Sequence, residues 1–201
     1  QNALLATALG AGQLGLSTLI HELGHSLGLA DVALTSLHNT AMDNQKFTMM
    51  SYNPFNGLRA TSLQVLDSGA LQEKYGRNYD SRNSETTYSD ENVLLDPASP
   101  NGAVLYTIWD GGGTDKIDAS GFTGVTDTIQ IDLRQGHYSS IGKYTSGGNV
   151  LFDGSVTDET GGISGAITVP DNADHGNIGI AFYAVIENAT GTNATINPDT
   201  G

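Results

Sequence analysis

The sequence contains no cysteine, which excludes disulfide bridges and thiolate metal sites. It also has no apolar stretch long enough to span a membrane, so we predict no membrane partner. Basic residues are scarce, with 8 Lys and Arg against 22 Asp and Glu and a formal net charge of -14. Because phosphate binding needs clustered Lys and Arg, we also predict no nucleic-acid partner.

The excess of acidic residues leaves two interpretations open. It is typical of secreted or calcium-binding proteins, but it also arises from a simple requirement for solubility. A secreted protein without disulfides needs another source of stability, and bound calcium is one such source. The charge alone does not separate the two interpretations.

The composition changes near residue 100. Residues 1–30 are rich in Ala, Leu and Gln, whereas most of the 26 glycines follow position 100, together with many Thr, Ser, Asn and Asp. The second pattern predicts short strands and tight turns. The 201 residues fit one domain or one domain with an appendage. We therefore predict an α+β fold, with a helical half over 1–100 and a small Gly-rich β region over 101–201.

Two helices are predicted in the first half. The first lies within residues 1–30, presents Ile20, Leu23 and Leu27 on one face, and stops at Gly28. The second runs from about residue 63 to 74 and is closed by Gly76. It is expected to present one apolar face, made by Leu63, Leu66, Ala70 and Leu71. Residues 31–62 are predicted as loop and residues 77–100 as irregular.

The second half is predicted to contain short strands. Short runs rich in β-branched and aromatic residues indicate strands over 104–109 and 128–133, and a final strand is expected over 179–186. The polar residues 189–201 are predicted to form a loose tail.

Residues 21–25 form the pattern H-E-x-x-H. Two His residues four positions apart lie on one helix face, so both imidazoles reach one zinc ion. Glu22, between them, is placed to take the proton of an attacking water. This pattern predicts His21 and His25 as zinc ligands and Glu22 as the general base.

The motif continues with Gly28 and Asp31, at the spacing of the longer pattern H-E-x-x-H-x-x-G-x-x-D. Gly28 allows a sharp turn out of the helix, after which Asp31 can return to the metal as a third ligand. A set of two His and one carboxylate is an accepted catalytic zinc site. Two alternatives stay open: Asp31 is an ordinary turn residue, or His38 takes its place as a ligand.

The downstream residues Met49–Tyr52 complete a resemblance to the serralysins, secreted bacterial zinc proteases of the metzincin type. Their Met-containing turn reads Met-Ser-Tyr, as residues 50–52 do here. The resemblance implies that Met50 underlies the zinc and that Tyr52 approaches it and steadies the transition state. Asp31 departs from the usual third His and is similar to the snapalysins, whose motif ends in Asp. Further similar segments are 70–72, 75–76, 109–115, 120–122 and 186–189.

The oxygen-rich residues Asp110, Gly112 and Asp115 are candidates for calcium binding, although Asp and Gly together also make ordinary turns. The resemblance extends this set, because serralysins bind calcium at matching positions and at a loop after the second helix. In that loop Glu85 stands where the family has Asp, and Ser84 where it has Gly. The full set of tentative calcium positions is Arg82, Ser84, Glu85, Asp110, Gly112, Gly113, Asp115, Val185 and Glu187.

Together these features predict a secreted, extracellular zinc endopeptidase that hydrolyses protein or peptide substrates, with one catalytic Zn²⁺ and one or more structural Ca²⁺. Serralysins carry a long segment before the zinc helix, including the sheet edge that holds the substrate. Only about twenty residues precede His21, so an upstream segment or a partner chain is expected to complete the cleft. The alternative is a non-catalytic, calcium-stabilised module or a fragment that retains a vestigial zinc site.

Overall fold

The computed structural model describes residue 9 and residues 13–55, 58–89, 104–121, 129–141, 176–191 and 195–197. Within these residues the chain has two α-helices, a short 3₁₀ helix at Val32–Leu34 and eight short strands. Helix α1 spans Leu14–Ser26 and helix α2 spans Val65–Tyr75. The strands are β1 Thr87–Ser89, β2 Tyr106–Ile108, β3 Lys116–Ala119, β4 Gln130–Asp132, β5 Tyr138–Ser139, β6 Ile178–Ile180, β7 Asn188–Gly191 and β8 Thr195–Asn197.

Helix α1 confirms the predicted helix around the H-E-x-x-H motif and its end before Gly28, whose φ of 83° suits glycine. The predicted packing face is wrong in part: Ile20 packs against a buried apolar group, but Leu23 and Leu27 are exposed. The buried positions of α1 are Ser17, His21 and Gly24. Two of them are polar and hydrogen-bond to residues 45 and 49. Residues 1–8 and 10–12 of the predicted helical segment lie outside the described residues.

Helix α2 begins two residues later than predicted and ends at Gly76 as expected, with a φ of 82° at that glycine. Its predicted face is partly wrong, since Ala70 is exposed while Asp67, Ser68 and Gln72 are buried with Val65 and Leu71. The side chain of Asp67 accepts the N–H of Gln64, which caps the helix N-terminus. The same carboxylate also accepts hydrogen bonds from residues 48 and 49, outside the helix.

The strands form three small sheets, with orders β1-β3-β7, β2-β6-β5 and β4-β8. All pairs are parallel except β5–β6. Among the residues described after Tyr75 no helix occurs. The helices and strands together give a mixed α and β architecture.

Three predicted boundaries are corrected. Strand β1 lies within 77–100, which was expected to be irregular, because Tyr88 packs in the core and β1 pairs with β3. The predicted strand over 179–186 ends at Ile180, where a turn carries Tyr183 at a φ of 67°. The predicted tail contains β7 and β8, which pair with β3 and β4.

Two groups of buried apolar residues support the fold. The larger group lies in the β region with Tyr88 and contains, among others, Ile108, Ile117, Ile131, Ile178 and Ile180. The smaller lies beside the first half and comprises Met49, Phe55, Leu58, Ala60 and Leu105. Ala60 pairs with Leu105 in a parallel bridge, so the loop after the Met-turn is joined to the start of the β region.

Candidate metal centre

Helix α1 and the turn that follows it bring three ligand-type side chains together. His21 and His25 lie one helical turn apart, with ring centroids separated by 4.8 Å. The positive φ of Gly28 turns the chain back, and Asp31 Oδ1 comes to 3.1 Å from His21 Nε2 and 3.3 Å from His25 Nε2. We call these three residues the metal-ligand cluster. Within the described part of the chain, it is the only group of three or more His, Cys, Asp or Glu residues whose ligand atoms all lie within 4.8 Å of one another.

The other nitrogen of each ring fixes which atom faces the cluster. His21 Nδ1 lies 3.0 Å from the carbonyl oxygen of Met49, and His25 Nδ1 lies 3.0 Å from that of Leu29. A carbonyl only accepts, so each Nδ1 carries the hydrogen. In the neutral imidazole, each Nε2 then points a lone pair toward Asp31.

This arrangement fits a cation. His21 Nε2 is buried and has no hydrogen-bond partner, although Asp31 Oδ1 is nearby. Two nitrogen lone pairs and a carboxylate repel one another unless a positive charge lies between them. Tetrahedral zinc with bonds of about 2.0–2.1 Å separates ligand atoms by about 3.3–3.4 Å, close to the distances to Asp31. The donor set and the unpartnered nitrogen therefore match a zinc site.

The Met-turn, residues Met49–Tyr52, packs against helix α1. Met49 supplies the carbonyl for His21, and the Met50 sulfur lies against Gly24. A Cβ atom added to Gly24 would lie 2.6 Å from Met50 Sδ, so a larger residue here would have to displace the Met50 side chain. The Met50 carbonyl also accepts the N–H of Val32, just after Asp31, at 3.2 Å. His21 and the residue after Asp31 therefore both hydrogen-bond to the backbone of this turn.

Glu22 and Tyr52 are both exposed and lie beside the metal-ligand cluster. Glu22 follows His21 on α1, and its charge acts on Tyr52. The Tyr52 hydroxyl donates to Asp31 Oδ1 at 3.1 Å, and its ring centroid is 5.0 Å from that of His21. Desolvation, followed by the hydrogen bond to Asp31, raises the pKa of Tyr52. Tyr52 is therefore protonated at neutral pH and can act as a hydrogen-bond donor.

The alternatives for the third ligand also have defined positions. Asp31 does precede a short 3₁₀ helix, but its side chain makes no capping bond there and points to the two His residues instead. His38 Nδ1 lies 3.1 Å from Asp43 Oδ2, and the His38 side chain is half exposed. His38 does not belong to the metal-ligand cluster.

A buried carboxylate that sequence reasoning missed lies behind the Met-turn. Asp67 accepts hydrogen bonds from the Thr48 hydroxyl and the Met49 N–H, both at 2.6 Å, and from Gln64 N–H at 2.8 Å. Burial raises the pKa of Asp67, and these three hydrogen bonds act in the opposite direction. The capping position of Asp67 is readable from the sequence, but its contact with the Met-turn depends on tertiary structure.

Some of the calcium candidates lie close together around Asp115, and the others do not. Asp115 donates its N–H to Glu187 Oε2 at 2.7 Å, and its Oδ1 accepts the N–H of Thr86 at 2.8 Å. Asp115 Oδ2 is buried without a hydrogen-bond partner. Desolvation, followed by the nearby negative charges of Asp110 and Glu187, raises the pKa of Asp115 to about 6. We call Asp110, Asp115 and Glu187 the acidic cluster.

The glycines around this cluster bring backbone oxygens close. A Cβ at Gly113 would lie 2.7 Å from the Ser84 carbonyl oxygen and 3.1 Å from Asp115 Oδ1. Gly112 donates its N–H to Asp110 Oδ1 at 2.9 Å. The other Asp110 oxygen accepts from the Tyr88 hydroxyl at 2.5 Å, a contact that sequence reasoning missed because Tyr88 lies in β1.

The remaining calcium candidates have no ligand role visible in their side chains. Arg82 donates from its guanidinium to the Trp109 carbonyl at 3.3 Å and to the Tyr106 hydroxyl at 3.2 Å. Glu85 and Val185 are exposed. Ser84 takes part through its carbonyl oxygen, next to Gly113. These positions stay predictions.

Comparisons with known proteins point to one group of enzymes. Residues 77–174 match the family model described as the C-terminal part of the M10 peptidase serralysin. The chain is 31% identical over 185 residues to Metallopeptidase AprA of Pseudomonas marginalis, covering 79% of this chain and 38% of the relative. It is 29% identical over 184 residues to Serralysin of Proteus mirabilis, covering 82% of this chain and 37% of the relative.

These matches extend beyond the part covered by the family model. Residues 77–201 make up less than two thirds of the chain, so a similarity covering 82% of it also includes residues upstream of 77. The findings support a relationship to serralysin-like metallopeptidases. The chain spans just over a third of the length of these relatives. No described helix is both long and apolar enough to cross a membrane.

Proposed function

We propose that this chain carries the zinc site of a secreted, serralysin-like endopeptidase that hydrolyses peptide bonds of extracellular proteins. The observation that carries this proposal is the metal-ligand cluster, in which two Nε2 atoms lie within 3.3 Å of Asp31 Oδ1 and that of His21 is buried without a hydrogen-bond partner. Asp31 is proposed as the third ligand, as in the snapalysins. Two names among the relatives, serralysin and metallopeptidase, agree with this class of chemistry.

When bound, zinc would act as a Lewis acid toward a water molecule and the scissile carbonyl. Glu22 is proposed to accept the proton of the attacking water and to deliver it to the leaving amine. Tyr52 is proposed to donate a hydrogen bond to the oxyanion that develops on the substrate. His21 and His25 are held in position by the carbonyls of Met49 and Leu29, so little reorganisation is needed for ligation.

Calcium is proposed as a second, structural cofactor of the β region. The acidic cluster concentrates carboxylates next to the Ser84 carbonyl, and Asp115 Oδ2 is buried without a partner. Calcium prefers oxygen ligands of this kind in glycine-rich loops. The division at residue 100 into a zinc-binding part and a calcium-binding part belongs to the same proposal.

A second candidate function is a non-catalytic, calcium-stabilised module that retains the zinc helix. It is favoured by the match of residues 77–174 to the C-terminal part of the serralysins and by the carboxylates gathered beside the Ser84 carbonyl. An active protease would need a substrate edge from an upstream segment or a partner chain. A binding module would need no such edge.

The test combines metal content with proteolysis on the purified chain. Mass spectrometry of the metal-loaded protein is expected to give about one zinc per chain, and casein hydrolysis is expected to stop with a zinc chelator. Zinc without hydrolysis would favour the module, or a substrate edge that must be supplied in trans. Absence of zinc would refute the assignment of the metal-ligand cluster.

A further inference from the structure

The geometry points to Thr48 and Asp67 as positioning residues that polarise His21 through the Met49–Met50 peptide group. The inference rests on the proposed zinc site and adds two residues to it. It depends on the direction of consecutive hydrogen bonds rather than on resemblance. Thr48 directly precedes the Met-turn, whereas Asp67 lies in helix α2.

The relay starts at the metal-ligand cluster. His21 donates from Nδ1 to the Met49 carbonyl oxygen at 3.0 Å. The N–H of the same peptide group belongs to Met50, and it donates to Thr48 Oγ1 at 3.0 Å. Thr48 then donates its hydroxyl hydrogen to Asp67 Oδ1 at 2.6 Å. Every hydrogen is donated in the same direction, from His21 toward Asp67.

The relay is shielded from water over its whole length. The exposed fractions are 5% for His21, 4% for Thr48, 0% for Met49, 2% for Met50 and 3% for Asp67. In a region of low dielectric constant, consecutive hydrogen bonds polarise one another. A carboxylate at the far end therefore increases the electron density at His21 Nε2, the atom that would bind zinc. His25 lacks this support, because its Nδ1 partner is the Leu29 carbonyl.

The second oxygen of Asp67 fixes the orientation of the carboxylate. Oδ2 accepts the N–H groups of Met49 and Gln64, and this leaves Oδ1 to accept from Thr48. An asparagine at position 67 could place its oxygen at Oδ2 and keep both backbone bonds. Its amide NH₂ would then face Thr48. Because this group donates, the Thr48 hydroxyl would accept a hydrogen bond there instead of donating one, and the relay would lose its common direction.

The experiment measures zinc affinity by chelator competition on the full chain. Thr48→Val removes the hydroxyl at nearly constant shape, and Asp67→Asn reverses it. Both are expected to weaken zinc binding by roughly 10–100-fold. Thr48→Ser restores the hydroxyl and is expected to stay within about threefold of the parent protein. Asp43→Asn is the matched control, since Asp43 is also buried and hydrogen-bonded to the Met-turn, through Ser51 Oγ at 2.8 Å, but has no hydrogen bond to the Met49–Met50 peptide or to Thr48.

A second readout separates polarisation from loosening of the fold. The visible absorption of the cobalt-saturated protein reports the strength of its donor atoms, and it is expected to shift in Thr48→Val and Asp67→Asn but not in Thr48→Ser. Melting of the metal-free proteins shows how much stability each variant loses. Parent-like affinity and spectra in both relay variants would overturn the inference and leave the zinc proposal intact, as would an equal affinity loss in Asp43→Asn. Failure of the parent protein to bind zinc would instead refute the proposed function, and the relay with it.

Discussion

The residues around the metal-ligand cluster are held mainly by hydrogen bonds, whereas the β region is held by a continuous apolar core. The inner face of α1 consists of Ser17, His21 and Gly24, and its orientation depends on carbonyls of the Met-turn and the following loop. In the β region, isoleucines from β2, β3, β4 and β6 pack together in one group. Hydrogen bonds fix direction, which ligand atoms need, while apolar burial is less directional and supplies bulk stability.

The two regions also hold their carboxylates differently. Asp31 faces two imidazoles, whereas Asp115 faces other carboxylates, and its pKa is raised. Each arrangement is unfavourable without a cation, but the donors differ. Nitrogen with one carboxylate suits zinc, and oxygen alone suits calcium. The comparison therefore predicts that the regions respond separately to the two metals.

The largest expected effect comes from Glu22→Gln. Removal of the general base is expected to lower peptide hydrolysis by about 10²–10⁴-fold while zinc content stays near that of the parent protein. His25→Ala is the contrasting variant and is expected to lose zinc together with activity. Metal analysis and casein hydrolysis on the same samples check both results. Hydrolysis by Glu22→Gln at the parent rate would remove Glu22 from the proposed mechanism.

The next effect is expected from Gly24→Ala, which tests how tightly the first region is packed. The new Cβ would lie 2.6 Å from Met50 Sδ, and Met50 is only 2% exposed, so its side chain has little room to move. Overpacking costs about 1–3 kcal/mol, and alanine recovers up to about 1 kcal/mol of helix propensity. A net loss of unfolding free energy is therefore expected.

Denaturant unfolding with Leu23→Ala as control measures this loss. Leu23 is on the same helix but exposed, so its substitution is expected to change stability by less than about 0.5 kcal/mol. A Gly24→Ala protein that is as stable as the parent, with unchanged zinc affinity, would show that Met50 yields and does not constrain α1.

The contrast between the regions also explains what the sequence could predict. His21, His25 and Asp31 were predictable because helical spacing and one glycine turn determine their approach. The carbonyls of Met49 and Leu29 were not, since a backbone oxygen leaves no residue-specific signal. The face of α1 was predicted only in part, because apolar periodicity assumes an apolar contact, whereas this helix exposes Leu23 and Leu27 and buries polar groups. Strands β7 and β8 were missed because their pairing with β3 and β4 overrides a polar composition.

A smaller, pH-dependent effect is expected at Asp115. Its folded-state pKa of about 6 lies above the ordinary value of 3.8, so the folded protein holds this proton more tightly than the unfolded chain. Without calcium, stability is therefore expected to fall as pH rises from about 4 to about 6. Calcium among the ionised carboxylates offsets their repulsion, so its addition should raise the melting temperature more at neutral pH than in mild acid.

Asp115→Asn tests this prediction against Glu73→Gln, which removes an exposed carboxylate from α2. The Asp115 variant is expected to lose both the pH dependence in this range and most of the calcium response, while the Glu73 variant keeps both. Equal calcium shifts in the two variants, measured by thermal unfolding, would argue against the acidic cluster as the calcium site.

The smallest expected effect lies at Asp118, also in the β region but with the opposite sign. Its hydrogen bonds from Lys116 and Ser120 lower its pKa to about 2, so the stability it contributes is present above pH 3.8 and is lost as pH falls toward 2. The pair with Lys116 is partly exposed, which limits its worth to less than about 1 kcal/mol and makes it sensitive to salt. Asp118→Asn is therefore expected to destabilise the protein slightly at neutral pH, less so at high salt, and to leave the calcium response unchanged.

The two aspartates change the stability of the folded protein in opposite directions. Asp115 lowers it as pH rises, whereas the contribution of Asp118 is lost as pH falls. The acid unfolding curves of the two single variants should therefore deviate from the parent in opposite directions. Deviations in the same direction would mean that the strands around β3 respond to total charge rather than to these individual contacts.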